Sequence, residues 1–372
     1  MSKKFSIFLS ALFCSFLGGM LIVSILLPDQ EFSQLENRYL QQLPKLSWEA
    51  VESGKFMSDA EDYVSDHLLG RDLWVSMKSW CERLTGKQEN NGVYFAQEGT
   101  LINRVTAPDM SVLEKNMSYV DKLAENLSVP VHFGLIPSAA EIWADRLPAG
   151  APTADEQEII DHLYSLTQAI PLPLGEKLVQ HAQEEIYYRT DHHWTSLGAY
   201  YGYQVIAESL GLTASALEDL TPVTVTEDFN GTIFSSSGVR WVEPDSIQTY
   251  IPDEGIKVTN YFDGTPTEGS LYAPEYLDKK DKYSYFLGGV QPLCTIETEH
   301  TDAPKLLLIR DSYSDSLAPF LTKNFSEIHL WDLRFNSRSI QQYVEEEEID
   351  QVIVLYSISN FLSDKNLFLL GR

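Results

Sequence analysis

The stretch KLLLIRDSYSDSLAPFLTKNF, residues 305–325, changes its period halfway along. Lys305 to Ile309 is a short apolar run behind its opening lysine, the composition of a buried strand. Beyond Ser312, the apolar residues Leu317, Phe320 and Leu321 return at helical spacing. A strand therefore turns sharply into a helix at Asp311-Ser312. Three further segments keep the alternation going: EIHLWDL (327–333), SIQQYVEEEEID (339–350) and QVIVLYSISNF (351–361). Strand, helix, strand, helix, strand implies right-handed crossovers and a parallel sheet flanked by helices, an α/β fold. The acidic run Glu345 to Glu348 reads as a solvated helix face.

Upstream of this core the same alternation is visible. Met110 to Leu127 reads as a helix, VPVHFGLIP (129–137) as a buried strand and Asp155 to Ala169 as a helix. YYGYQVIAESLG reads as a helix closed by Gly211. The expected α/β domain spans residues 109–372, interrupted at about 221–300 by a Thr-, Tyr-, Gly- and Pro-rich segment read as a β-rich insertion. Residues 29–108 form a lead-in. Within it, Trp48 to Leu84 carries helical spacing broken at Gly70-Arg71-Asp72, and NGVYFAQEGTLINR (91–104) reads as a hairpin.

At the N-terminus, Lys3 and Lys4 precede 23 uncharged positions, Phe5 to Leu27, enough to cross a hydrocarbon core as a helix. No small-x-small cleavage site follows, so residues 1–28 are expected to be a retained, single-pass membrane anchor. With the lysines inside, the rest of the chain lies outside the cell membrane, extracytoplasmic. The net charge of -27, with Lys and Arg outnumbered 27 to 54, argues against nucleic acid as a partner. Cys81 and Cys294 are the only cysteines outside the anchor; a disulfide between them and two separate thiols are both open readings.

Chemistry has two candidate locations. Ser312 follows a strand of a parallel sheet and opens a helix, where ligands bind and unpaired backbone N-H groups can stabilise an oxyanion. The plainer reading is that Asp311 or Ser312 caps the helix. The second location is YYRTDHHWTSLGAYY, residues 187–201. In a tight turn, Asp191 can accept from the Nδ1-H of His193 and aim the other ring nitrogen at a nucleophile. His192, on the opposite side of an extended chain, is then a bystander. Two rival readings stand: Asp191 caps a helix from Trp194 to Leu210, or the pair binds metal. The second lacks a third and fourth ligand in any recognisable pattern, so no metal is expected.

Together these residues resemble the DHHW protein family, named for the string found here as Asp191-His192-His193-Trp194. ENRYLQQLP, DHLLGRD, NGVYF, GLIPSAAEIWADRLP, FNGTIFSSSG, IRDSYSDSLAPFL and WDLRF also look like its recurring segments, so the likeness runs from about residue 1 to 361. That family is similar in turn to the SGNH-hydrolase-like proteins of alginate-type exopolysaccharide O-acetylation. Their motifs come in an order permuted from that of ordinary SGNH esterases.

The resemblance implies an SGNH-like sheet with Ser312 as nucleophile, His193 as general base and then acid, and Asp191 as orienter. It implies an O-acetyltransferase acting on a cell-surface or exopolysaccharide, with a membrane-bound O-acyltransferase as acetyl donor and no soluble cofactor. An acetylesterase with the same triad, or a non-catalytic glycan-binding or assembly protein, is the alternative. Asn360 and Asn230 are candidate oxyanion donors, and Tyr313 and Arg334 are candidates to line the site. Arg310 departs from the pattern, standing where SGNH proteins have Gly; it is expected either to narrow the pocket or to mark a different strand-helix turn.

Overall fold

The uncharged run after Lys4 forms one exposed helix, α1 (Lys3–Leu26), in the computed structural model, which describes residues 3–372. The chain divides into two compact units, Met1–Asn91 with Phe234–Trp241, and Gly92–Ile233 with Val242–Arg372. In the first unit α1 is followed by α2 (Lys55–Asp66) and α3 (Arg71–Leu84), separated at Gly70, whose φ of 68° suits a residue without a Cβ. The lead-in is held by charge. Arg38 donates to Asp66 (Nη1 to Oδ2, 2.9 Å), the Gln41 N-H reaches the same carboxylate at 2.8 Å, and Arg71 pairs with Glu36 at 2.8 Å. ENRYLQQ and DHLLGRD are thus two halves of one ion-paired joint. Burial would raise the Asp66 carboxyl, but the Arg38 and Gln41 hydrogen bonds outweigh it and hold the group below its usual range.

The second unit opens with the hairpin β1 (Val93–Phe95) and β2 (Leu101–Asn103), whose Tyr94 and Ile102 are buried in its core. Then come α4 (Met110–Asn126), β3 (Val131–Ile136), α5 (Glu156–Leu166), β4 (Ile170–Leu172) and α6 (Ser196–Ser209). A two-stranded pair follows, β5 (Val223–Phe229) with β6 (Asp245–Thr249), then β7 (Lys257–Phe262), β8 (Thr265–Gly269) and β9 (Leu293–Glu297). The chain finishes with β10 (Lys305–Arg310), α7 (Ser314–Leu321), β11 (Glu327–Trp331), α8 (Ile340–Glu346), β12 (Gln351–Ser357) and α9 (Ile358–Ser363).

Eight of these strands form one sheet in the order β8-β7-β9-β11-β10-β12-β3-β4. The five from β11 to β4 are parallel, as expected; β9, β7 and β8 are antiparallel. The segment read as an insertion therefore does more than decorate the domain: three of its strands extend the central sheet. Alternation in β7, where Val258 and Asn260 are buried between exposed or half-buried neighbours, fits this flank position.

The sheet is packed on both faces. Along β10, Leu306 and Leu308 join one core cluster with α6 and α7, while Leu307 and Ile309 join the other with α4 and α9. β10 also marks the switch in topology. The chain moves from it to β11 on one side and returns across it to β12 on the other, which opens a crevice at its carboxyl end. Ser312 lies there.

Two alternatives left open by the sequence are decided. The N-cap of α6 is Thr195, whose hydroxyl accepts from the Gly198 N-H at 3.3 Å, so Asp191 is free for another partner. All three cysteines are free thiols, Cys81 exposed and Cys294 buried, and burial pushes the Cys294 thiol up to about 12.

Candidate active site

The Asp191 loop is closed by its own ends. Tyr187 and Trp194 form an antiparallel bridge, and the Tyr188 N-H donates to the His193 carbonyl at 3.2 Å. In the turn so formed, Asp191 Oδ1 accepts from both the backbone N-H (3.0 Å) and Nδ1 (2.6 Å) of His193. Oδ2 accepts from the Thr232 N-H at 2.7 Å and the Thr232 hydroxyl at 3.0 Å. With Nδ1-H given to the carboxylate, the other ring nitrogen is left as an acceptor. That nitrogen, Nε2, lies 2.8 Å from Ser312 Oγ. Burial would raise the Asp191 carboxyl, yet the neighbouring imidazoles and these donors hold it well below the usual carboxylate range.

Three supports keep this line straight. The first is Trp194, fully buried, whose indole N-H donates to the Tyr313 carbonyl at 2.9 Å. It fits only because α6 presents glycines to it: a Cβ on Gly202 would stand 2.8 Å from the indole ring, and one on Gly198 would stand 2.2 Å from the Ile186 carbonyl oxygen. The second is Gly231. A Cβ there would sit 2.2 Å from that of Asp191, so only glycine lets the following Thr232 reach the carboxylate.

The third support is Tyr283, a residue sequence reasoning missed. Its ring stacks on His193 with centroids 3.7 Å apart and planes within 7°. Its hydroxyl donates at 3.1 Å to the Ser312 carbonyl and lies 3.1 Å from Ser316 Oγ. Burial raises the phenol well above its usual pKa, which keeps it a donor. Nothing local in KYSYF distinguishes this tyrosine from its neighbours; only the tertiary fold does.

The remaining candidates separate. Tyr313 is buried beside the site, its hydroxyl donating to the His192 carbonyl and its N-H to Asp311 Oδ1 at 3.0 Å. Asp311 is not a cap for the body of α7. Its Oδ2 gathers the Ser357 N-H and hydroxyl and the Asn360 amide, each at 2.8 Å, tying the turn after β10 to the end of β12. Asn360 is thus bonded to Asp311, the residue before Ser312. Asn230 flanks Asp191 through Gly231, and its carbonyl accepts from Lys280 at 2.6 Å. Arg334 is committed to Asp332, with two nitrogens on that carboxylate at 2.6 to 3.2 Å.

Arg310 does not narrow a pocket. It continues the alternation of Leu306 and Leu308, so its side chain enters the core and pairs there with Asp315 of α7 at 2.8 Å. Burial lifts the Asp315 carboxyl to about 7, with Arg310 pulling in the opposite direction.

His192 lies against His193 and not on the far side of the chain. Its ring lies 3.9 Å from that of His193, its Nδ1 is 2.7 Å from the Thr232 hydroxyl, and burial together with the His193 charge pushes it down to about 4. It also lines, with Tyr313, Ile102, Ile159, Ile358 and Glu156, a largely apolar pocket of about 350 Å³. Ligand atoms of Asp191, His192 and His193 lie within 4.8 Å of one another. Both nitrogens of His193 are already directed to Asp191 and Ser312, which fits a proton relay better than a cation cage.

A family model described as DHHW protein matches residues 128–331. Among solved structures, a DHHW family protein from Eubacterium siraeum is similar at 24% identity and a TM-score of 0.67, covering 76% of this chain and 96% of its own. PatB1 from Bacillus cereus, solved with a sulfonyl adduct, is similar at 22% identity and a TM-score of 0.64, covering 75% and 98%. Both likenesses are of fold. No curated protein matches.

Proposed function

This chain belongs to the DHHW protein family, and on that premise we propose that it is a membrane-anchored acyltransferase that forms an acyl-enzyme on Ser312. The observation that carries the reading is the continuous line from Asp191 through His193 to Ser312, with contacts of 2.6 and 2.8 Å. In the first half-reaction His193 Nε2 takes the hydroxyl proton as Ser312 Oγ attacks the acyl carbonyl, and then returns it to the departing donor oxygen. In the second, the same nitrogen deprotonates an acceptor hydroxyl, whose oxygen takes the acyl group, and passes that proton to Ser312 Oγ as it leaves. Asp191 holds the tautomer and stabilises the imidazolium that forms at each step.

Acetyl as the group and a surface or secreted polysaccharide as the acceptor are supported by the resemblance of DHHW and Asp311-Ser312-Tyr313 to the exopolysaccharide O-acetylation proteins. On this reading the motif order, His193 before Ser312, makes it a permuted SGNH-like protein. Helix α1, 24 residues long and apolar enough to cross a membrane, would hold the domain outside the cell beside a membrane-bound acetyl donor.

The test is acetyl release from a chromogenic acetyl ester, with and without an oligosaccharide acceptor, by the parent and by Ser312→Ala. The expected result is turnover by the parent alone, with acetyl found on the sugar by mass spectrometry. A phenylsulfonyl fluoride probe should modify Ser312 in the parent. Equal turnover in both proteins removes the serine from the mechanism, and water as the sole acceptor makes the protein an esterase.

A further inference from the structure

Helix α3 wears its apolar residues on the outside. Leu73, Met77, Trp80 and Leu84 fall on one stripe of the helix and are 63, 45, 46 and 80% exposed, while Ser79 on another face is fully buried against Asn90. One side of the Trp80 ring packs on Trp241, with centroids 4.4 Å apart, and Trp74 adds a second indole beside the stripe, 39% exposed. A soluble helix of this length buries such a stripe; an exposed one of this kind marks an interaction surface.

The position of α3 points to what covers it. The turn that starts the helix is bonded to the end of α1: the Leu69 N-H donates to the Ser24 hydroxyl at 2.9 Å, and the Trp74 indole donates to the Leu69 carbonyl at 3.1 Å. Ser24 lies in the last turn of α1. If α1 spans a bilayer, the first turn of α3 stands where that bilayer meets water, the depth that Trp favours. A net charge of -27 leaves little electrostatic attraction to an anionic membrane, so the contact is apolar.

We propose that α3 lies in the interfacial layer of the membrane crossed by α1, with Leu73, Met77, Leu84 and the exposed part of Trp80 against lipid. The inference rests on reading α1 as a retained anchor. Such a second contact restricts the rocking of the domain on its tether.

The test uses the full chain in phosphatidylcholine vesicles. A nitroxide is placed in turn at Leu73→Cys, Met77→Cys and Leu84→Cys, in a Cys14→Ser, Cys81→Ser background, with Glu61→Cys on exposed α2 as the aqueous reference. Accessibility to oxygen and to a water-soluble nickel chelate is read by EPR. The expected result is loss of nickel access with retained oxygen access at the three α3 sites, and full nickel access at Glu61. Nickel access at α3 equal to that at Glu61 overturns the proposal. Exclusion of both reagents also overturns it, assigning the face to a protein partner or a second copy. A label on native Cys14 reports the anchor separately: a deep Cys14 with an aqueous α3 sinks only this inference, whereas an aqueous Cys14 sinks the anchor reading.

Discussion

Trp194 bonds the carbonyl of Tyr313, the residue that follows the candidate nucleophile, across 119 positions of sequence. The fourth letter of DHHW is therefore a positioning residue. Replacing it with Phe removes that donor and part of a fully buried ring, a cost of about 1–3 kcal/mol from the lost hydrogen bond and the space left behind. Trp194→Phe should lower the melting temperature by several degrees and reduce kcat more than KM. Unchanged kcat in a folded variant would show that the indole serves packing alone.

Asp191 accepts four hydrogen bonds, two from His193 and two from Thr232. In Asp191→Asn the imidazole is no longer held in the productive tautomer, and turnover should fall by on the order of 10⁴-fold, as in serine proteases with the equivalent change. EDTA should leave the parent's turnover intact. Full activity in the Asn variant, or a loss restored by zinc, would break the proposed relay.

Gly231 leaves no room for a methyl group beside Asp191. Gly231→Ala should push the carboxylate off the Thr232 N-H and cost about 1–3 kcal/mol in strain and lost packing. Chemical denaturation and the ester assay measure the two effects together. A neutral result in both would mean that the loop yields without cost.

Burial pushes the Glu156 carboxyl up to about 7, against hydrogen bonds from Ser138 that pull it down. An unfolded glutamate titrates near about 4.3. Between these values the folded chain holds the extra proton, so this group makes stability fall as pH rises from about 4.3 to about 7. Glu156→Gln should flatten the fall, its advantage over the parent growing across that window to a few kcal/mol. Melting curves at pH 5 and 8 decide it: parallel losses in parent and variant would exonerate Glu156.

The parallel core was legible because LLLI (306–309) and VIVLY are unbroken apolar runs, which only strands covered on both faces require. The pairing of Asp191 with His193 was legible from spacing, and Ser312 from the strand-to-helix change of period. The antiparallel flank was not, because β7 to β9 mix Thr, Pro and Gly with apolar residues and owe their strand conformation to pairing with the sheet. Nor was the fate of Arg310: a charge in an apolar run looks like an edge, and only its burial against Asp315 explains it. Tyr283, and the role of Gly231 beside Asp191, were missed for a related reason. Each acts on a residue distant in sequence, and nothing nearby records the partner.

The separation between His193 and Ser312 carries a consequence for biogenesis. Local segments can form early, but the serine gains its base only when strands from both ends of the domain have come together, the slow class of contact in chain folding. On the proposed mechanism, a nascent or damaged copy would hold an ordinary alcohol, inert toward esters. Reactivity of Ser312 toward an electrophile would then be a readout of finished architecture, and no inhibitor would be needed to prevent premature chemistry.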